Sequence, residues 1–291
     1  IAGLVAGASK GEGLGNRFLA HIREVDAIIH VVRAFNDDDI THVSGRVDPI
    51  SDAGTIETEL ALADLETLER AIERTSKAAK TGDKKVLREL EILKTTHEAL
   101  SNDTQIAALL TEDEVIHTLK PLCLLTAKPV VYVANVAESE LEGNEKVEAL
   151  RKHAAEAAAQ LVVVSAAIEQ EISEIDPNDR LSFLEDLGLE ESGLDKVIRA
   201  GYELLGLQTF FTAGPKEVRA WTVRRGATAP QAAGEIHTDF ERGFIRAETI
   251  AYDDFIDLQG EQGAREAGRL RLEGKEYVLS DGDIMHFRFN V

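Results

Sequence analysis

Val130–Glu138 reads VVYVANVAE, an apolar run that stops at Asn135, and Leu161–Ala167 reads LVVVSAA, a second run that stops at Ser165. Continuous apolar runs without polar alternation belong to strands covered on both faces, as in parallel sheets. A third, Ala27–Val32 (AIIHVV), lies upstream. The segments Val147–Gln160 and Gly193–Leu205 have helical spacing, so strand and helix alternate along the chain. That alternation predicts a doubly wound α/β domain.

Working outward, the insertion between the first two strands is polar, with Leu65, Leu68 and Ile72, then Leu87, Leu90, Leu93 and Leu100, at helical spacing. The short Thr81-Gly82-Asp83 connection suits two antiparallel helices. Their charge reads first as a solvated face and alternatively as a partner-binding surface. After Leu205 the texture changes to short punctuated runs: Leu207–Thr212, Val218–Val223, Tyr277–Leu279 and Met285–Val291. These predict a separate small α+β domain with its boundary near Gly206.

Bulk properties set limits on this reading. The 291 residues are 44% hydrophobic, enough for two or three domains. A net charge of −21 argues against broad, non-specific nucleic-acid binding, so DNA is not an expected partner, although a local basic patch could dock on RNA. No run reaches the roughly 18 apolar residues of a membrane span, and no charged-then-apolar leader opens the chain. The expected location is cytoplasmic, with no membrane partner. A single cysteine, Cys123, excludes an internal disulfide framework and a cysteine cluster for zinc; it is expected to be a small buried hydrophobe.

Chemistry concentrates in three stretches. In Ile1–Arg33, a glycine-dense segment leads into a predicted helix over Asn16–Glu24. Such glycines let backbone amides approach an anion closely, and a flexible connector is the other reading. The segment is not a P-loop, because Lys10 precedes Gly11 and no G-K-[ST] triplet occurs in the chain. Gly7–Gly11 matches G-x-S-x-G, which would make Ser9 a nucleophile, but more glycines follow where that elbow needs a helix. His21, His30 and His42 show no spacing that marks a catalytic partner for it.

The second stretch is Asn135-Val136-Ala137-Glu138. GTPases read guanine with N-K-x-D after a strand; here Val136 replaces the lysine and the longer Glu138 replaces the aspartate, which weakens guanine selectivity. Alternatively, Asn135 and Glu138 end the strand and cap the next helix. The third stretch, Ser165-Ala166-Ala167, stands where GTPases place an S-A-[KL] loop against the base. The two signals occur in the right order and reinforce each other.

The whole chain resembles the Obg-like ATPase (YchF) subfamily of the Obg-type P-loop GTPases. The resemblance is carried by IAGLVAGASKGEGLGNRFLAHIREVDAIIHVVR (1–33), LLTAKPVVYVANVAE (124–138) and SAAIE (165–169). It continues through GLEESGLDKVIRAGYELLG (188–206), the run from Phe210 to Glu248, and DGDIMHFRFNV (281–291). It implies a P-loop GTPase-like doubly wound sheet formed by residues 1–54 and 122–206. A helical coiled-coil arm would occupy 55–121, and a β-grasp TGS domain 207–291. The phosphate-binding loop, and the aspartate that completes D-x-A-G, are expected upstream of Ile1. The full-length protein would then be an ATPase or GTPase, and this chain alone inactive.

The resemblance also implies a mechanism. Leu4 follows Gly3 where regulatory GTPases carry a water-orienting glutamine, and an aliphatic side chain cannot hydrogen-bond water. The family's substitute is a loop histidine, which maps onto His42 within the polar stretch Asn36–His42; a surface histidine in an acidic turn is the plainer reading. ATP is expected to be preferred to GTP, or both accepted, with Asn135, Val136, Glu138, Ser165 and Ala166 around the base. Mg2+ would be held by upstream residues. Lys216, Arg219, Arg224, Arg225, Arg242 and Arg246 form a basic cluster suited to the ribosome or ribosomal RNA, although exposed arginines are also ordinary. The other function class is a catalytically inactive scaffold that binds RNA, ribosome or protein through the arm and TGS domain.

Overall fold

Three apolar runs form three parallel strands, β1 (Ile28–Arg33), β2 (Val130–Asn135) and β3 (Gln160–Val164), in the spatial order β1-β2-β3. The structure is a computed structural model that describes residues 14–42, 45–102, 104, 106–214 and 217–290. Ile28 pairs with Val130, and Val131 with Gln160, so His30, Tyr132 and Leu161 share one face of the sheet. Parallel neighbours require crossovers, and helices supply them. The core under this sheet gathers Val32, Ala34, Tyr132, Ala134, Val136, Val147 and Leu150.

Helix α1 (Leu14–Glu24) precedes β1. The crossover to β2 contains α2 (Pro49–Ala78), α3 (Lys84–Ser101) and α4 (Asp113–Leu119). Asp48 caps α2 by accepting from Ser51 N at 3.1 Å, and Pro49 supplies the fixed φ of a first helical residue. The helix therefore starts ahead of residue 55, the arm boundary that the resemblance implies. A short 3-10 turn ends at Gly82 (φ 79), a left-handed position open to glycine, and Asp83 then caps α3. Leu68 and Ala71 of α2 bury against Ile92, Leu93 and Leu100 of α3, and Glu69 lies 3.6 Å from His97, so the two helices run back along each other.

Helix α5 (Glu145–Glu156) crosses from β2 to β3, and α6 (Ala166–Glu174), α7 (Arg180–Asp186) and α8 (Gly193–Leu204) come after β3. Asn144 caps α5 through Val147 N and also donates to Ala34 O at 2.8 Å, tying the loop after β1 to the loop after β2. Cys123 departs from expectation: it is exposed, because it ends a 3-10 turn in the left-handed region (φ 48) instead of joining the apolar run beside it.

Two compact units divide between Gly201 and Tyr202, within α8 and a few residues before Gly206. The second contains β4 (Leu207–Ala213), β5 (Val218–Arg224), α9 (Ala229–Ile236), α10 (Thr238–Arg242) and β6 (Phe244–Ile250). It continues with α11 (Tyr252–Asp257), α12 (Glu261–Glu266), β7 (Arg271–Glu273) and β8 (Ile284–Phe289). Its sheet has the order β5-β4-β8-β6-β7, with β4 and β8 parallel and the other pairs antiparallel. Phe210, Val223, Phe244, Ala247, Met285 and Phe287 pack against the alanines of α9, and Trp221 packs on the same core. Tyr277–Leu279, expected as a strand, forms one isolated bridge, Val278 to Thr228.

Candidate functional site

The carboxyl ends of parallel strands are where open α/β sheets bind ligands. At this end of the first unit the ladder runs on past the strands: Ala34 N donates to Asn135 O at 2.8 Å, and Val136 N to Val164 O at 2.9 Å. Three loops therefore leave the sheet side by side.

The parallel register brings Asn135 to the start of α6, where its Oδ1 accepts from Ala166 N at 3.0 Å. The β2 end and the Ser165-Ala166 turn are thus one hydrogen-bonded element. Ser165 occupies the N-cap of α6, yet its hydroxyl does not cap the helix. It is 1% exposed, and its Oγ is the one buried side-chain N or O atom without a partner among the described residues. An unsatisfied buried hydroxyl costs about 1–3 kcal/mol, so it calls for a ligand or an ordered water.

The remaining base-site candidates differ in what they can offer. Val136 is 2% exposed, its side chain is in the core and its N–H is already used, which leaves only its carbonyl oxygen. Glu138 opens a 3-10 turn, Glu138–Glu140, with its carboxylate exposed to solvent. Gly3 and Leu4 lie outside the described residues. On the far side of α6, Glu169 accepts from Gly193 N at 2.7 Å and Leu194 N at 3.1 Å, fixing the start of α8 beside β3.

His42 lies in the loop after β1, and the structure places its Nε2 2.9 Å from Asp52 Oδ2 on the first turn of α2. Arg33, the last residue of β1, braces that loop by donating to Phe35 O, Ile40 O and Asp37 O at 2.9–3.1 Å, with its guanidinium 4.7 Å from the Phe35 ring centroid. The sequence pattern does not point to Asp52, and Arg33 closes the 1–33 stretch without being singled out in it.

Below these loops two polar clusters fasten α2 to the sheet. Glu57 accepts from Tyr132 Oη and lies 2.8 Å from His153 Nε2. Burial and that hydrogen bond raise the Tyr132 phenol well above its ordinary value. Desolvation lowers His30, which packs on Tyr132; the Glu57 carboxylate opposes the shift and His153 adds to it. Farther along, the fully buried Asp64 accepts from Arg23 Nη1 (3.2 Å), Leu125 N (3.0 Å), and Thr126 N and Oγ1 (both 2.8 Å).

The described residues bring together no group of three or more His, Cys, Asp or Glu able to hold a metal ion. None of the described helices is long and apolar enough to cross a membrane. In the second unit, Arg219 stacks 4.1 Å from the Trp221 ring centroid, and Arg224, Arg225, Arg242 and Arg246 are exposed; Lys216 lies outside the described residues. That unit also holds a cavity of about 300 Å³, lined by residues that include Ile250, Phe255, Ile284 and His286.

A parallel α/β sheet with joined strand-end loops, followed by a small mixed-sheet unit, defines a two-unit protein of the α/β class. The solved structure of the Schizosaccharomyces pombe YchF GTPase superposes on it with a TM-score of 0.83 at 39% identity, covering 99% of this chain and 78% of that one. Over all 291 residues the chain is 60% identical to the "Ribosome-binding ATPase YchF" of Haemophilus ducreyi, of which it spans 80%. It is 43% identical to the "Obg-like ATPase 1" of Rattus norvegicus, spanning 75% of that protein. Residues 207–290 match the family model YchF-GTPase_C, described as "Protein of unknown function (DUF933)". The chain belongs to the YchF family of Obg-like ATPases.

Proposed function

We propose that this chain is the nucleotide-responsive body of a ribosome-associated switch that binds and hydrolyses ATP and also accepts GTP. The observation that carries the reading is the buried, unpartnered Ser165 hydroxyl beside the Asn135–Ala166 hydrogen bond, at the carboxyl ends of β2 and β3. A purine seated there meets Ser165 and the Ala166 turn at its edge. The exposed Glu138 carboxylate accepts from the exocyclic amine, and Val136 contributes only its carbonyl. With no lysine to pack over the base and a longer, freer acid in place of aspartate, the site lacks the rigid guanine reader, which favours tolerance of adenine.

Hydrolysis needs a group to orient water, and Leu4 after Gly3 cannot do so. His42 takes that role, on a loop braced by Arg33. Mg2+ accompanies the phosphates, with ligands outside the described residues. The names of the relatives, a ribosome-binding ATPase and an Obg-like ATPase, support both nucleotide and ribosome as partners. The second unit reads as a β-grasp TGS module, and its exposed arginines would face ribosomal RNA.

The test is a titration of fluorescent ATP and GTP analogues, with magnesium, against the protein expressed from its complete gene. Tighter ATP than GTP binding, weakened by Ser165→Val, is the expected result. Failure to bind either nucleotide would overturn the reading in favour of a scaffold that works through α2–α3 and the second unit.

A further inference from the structure

We infer that Asp52 is a positioning residue for hydrolysis, which acts by holding His42 from the first turn of α2. This rests on the reading of His42 as the water-orienting group. A carboxylate can only accept, so at 2.9 Å the His42 Nε2 carries a proton and donates it to Asp52 Oδ2, which pins that edge of the ring to the helix. The pair is shielded, at 17% and 29% side-chain exposure. Asp52 thereby fixes the orientation of the His42 ring.

The Asp52 side chain is not needed to begin the helix. Asp48 is the N-cap, its carboxylate already accepts from Ser51 N, and its carbonyl accepts from Asp52 N. The base of α2 is also rigidly seated. About one and a half turns on from Asp52, Glu57 is bonded to Tyr132 and His153, and beyond it Asp64 is bonded to Arg23, Leu125 and Thr126. A side chain on such a helix holds its partner to a narrow geometry, which is what a water-orienting group requires.

Steady-state ATP hydrolysis by the complete gene product, compared among native, His42→Ala, Asp52→Asn and the double variant, tests this. Asp52→Asn should lower kcat about tenfold or more with KM for ATP unchanged, since general-base and water-orienting groups contribute roughly 10²–10⁴-fold. The double variant should be no slower than His42→Ala alone, and Asp52→Glu should recover part of the lost rate. Native kcat in Asp52→Asn, or losses that multiply in the double variant, would overturn the inference while leaving His42 in place. A His42→Ala protein with native kcat would remove the His42 assignment itself.

Discussion

Replacing Asn135 by alanine removes the oxygen that accepts from Ala166 N at 3.0 Å and leaves that N–H without its partner, next to a serine hydroxyl already without one. Orphaning a donor of this kind costs about 1–3 kcal/mol, and the partial exposure of the α6 start places the loss near the lower half of that range. The first unit should therefore lose about 1–2 kcal/mol of stability, a fall of roughly 2–8 °C in its melting transition. Because the same bond holds the Ser165-Ala166 turn, nucleotide affinity should fall about five- to thirtyfold. Asn135→Asp separates the two effects. It keeps an oxygen facing Ala166 N and puts negative charge at a helix N-terminus, so it should melt like the native protein, yet it loses the amide donor available to a base. Urea or thermal unfolding with fluorescent-ATP titration provides both readouts. An Asn135→Ala protein that melts normally and binds ATP within about twofold of native would refute the linkage between the two loops.

The packing around the sheet of the first unit gives three further expected outcomes. Asp64→Ala strands two backbone amides at a fully buried site, while Arg23 keeps its bonds to Cys123 O, Ala63 O and Thr67 Oγ1; at about 1–3 kcal/mol per orphaned donor, unfolding should show a loss of roughly 2–6 kcal/mol against little change for the exposed Glu73→Ala. His30 has a lowered folded-state value from burial, so the unfolded chain binds the extra proton first; stability is complete above about pH 6.5 and falls as pH drops below it. Urea midpoints of the native protein and His30→Gln measured between pH 8 and pH 5 should diverge in that sense. In Gly193→Ala, the new Cβ would lie 2.8 Å from Val164 Cγ1 and 2.9 Å from Glu169 Oε1, so calorimetry should record about 1–3 kcal/mol of destabilisation next to Ser165.

The strands of the first unit were legible because each is a continuous apolar run; burial accounts for this in β2, whereas Ile29 and Val31 of β1 are exposed, and the leucines of α2 and α3 were legible because their spacing survives a heavily charged surface. Local backbone geometry was harder to read. Cys123 sits among leucines and looks buried, but its left-handed φ turns it to solvent. Tyr277–Leu279 has strand composition and finds only one bridging partner, while β7 is too short to leave a pattern. At the site, Asn135, Ser165 and Ala166 were readable as residue types in order. Their hydrogen bond was not, because it depends on the register between β2 and β3. Asp52 left no trace, and Arg33 closed the 1–33 stretch with no role of its own, since no short-range rule prescribes the path of the loop that each contacts. The buried side chain of Val136 likewise narrows its role to a carbonyl, a distinction invisible before the core was assembled.

Amide hydrogen exchange on the complete gene product, with and without saturating ATP and magnesium, addresses the central claim most directly. Slowed exchange at residues 135–140 and 165–168 on ATP addition is the predicted result, since the base would cover these two loops together. ATP binding that leaves both loops exchanging at their free rates would contradict a purine site at the carboxyl ends of β2 and β3.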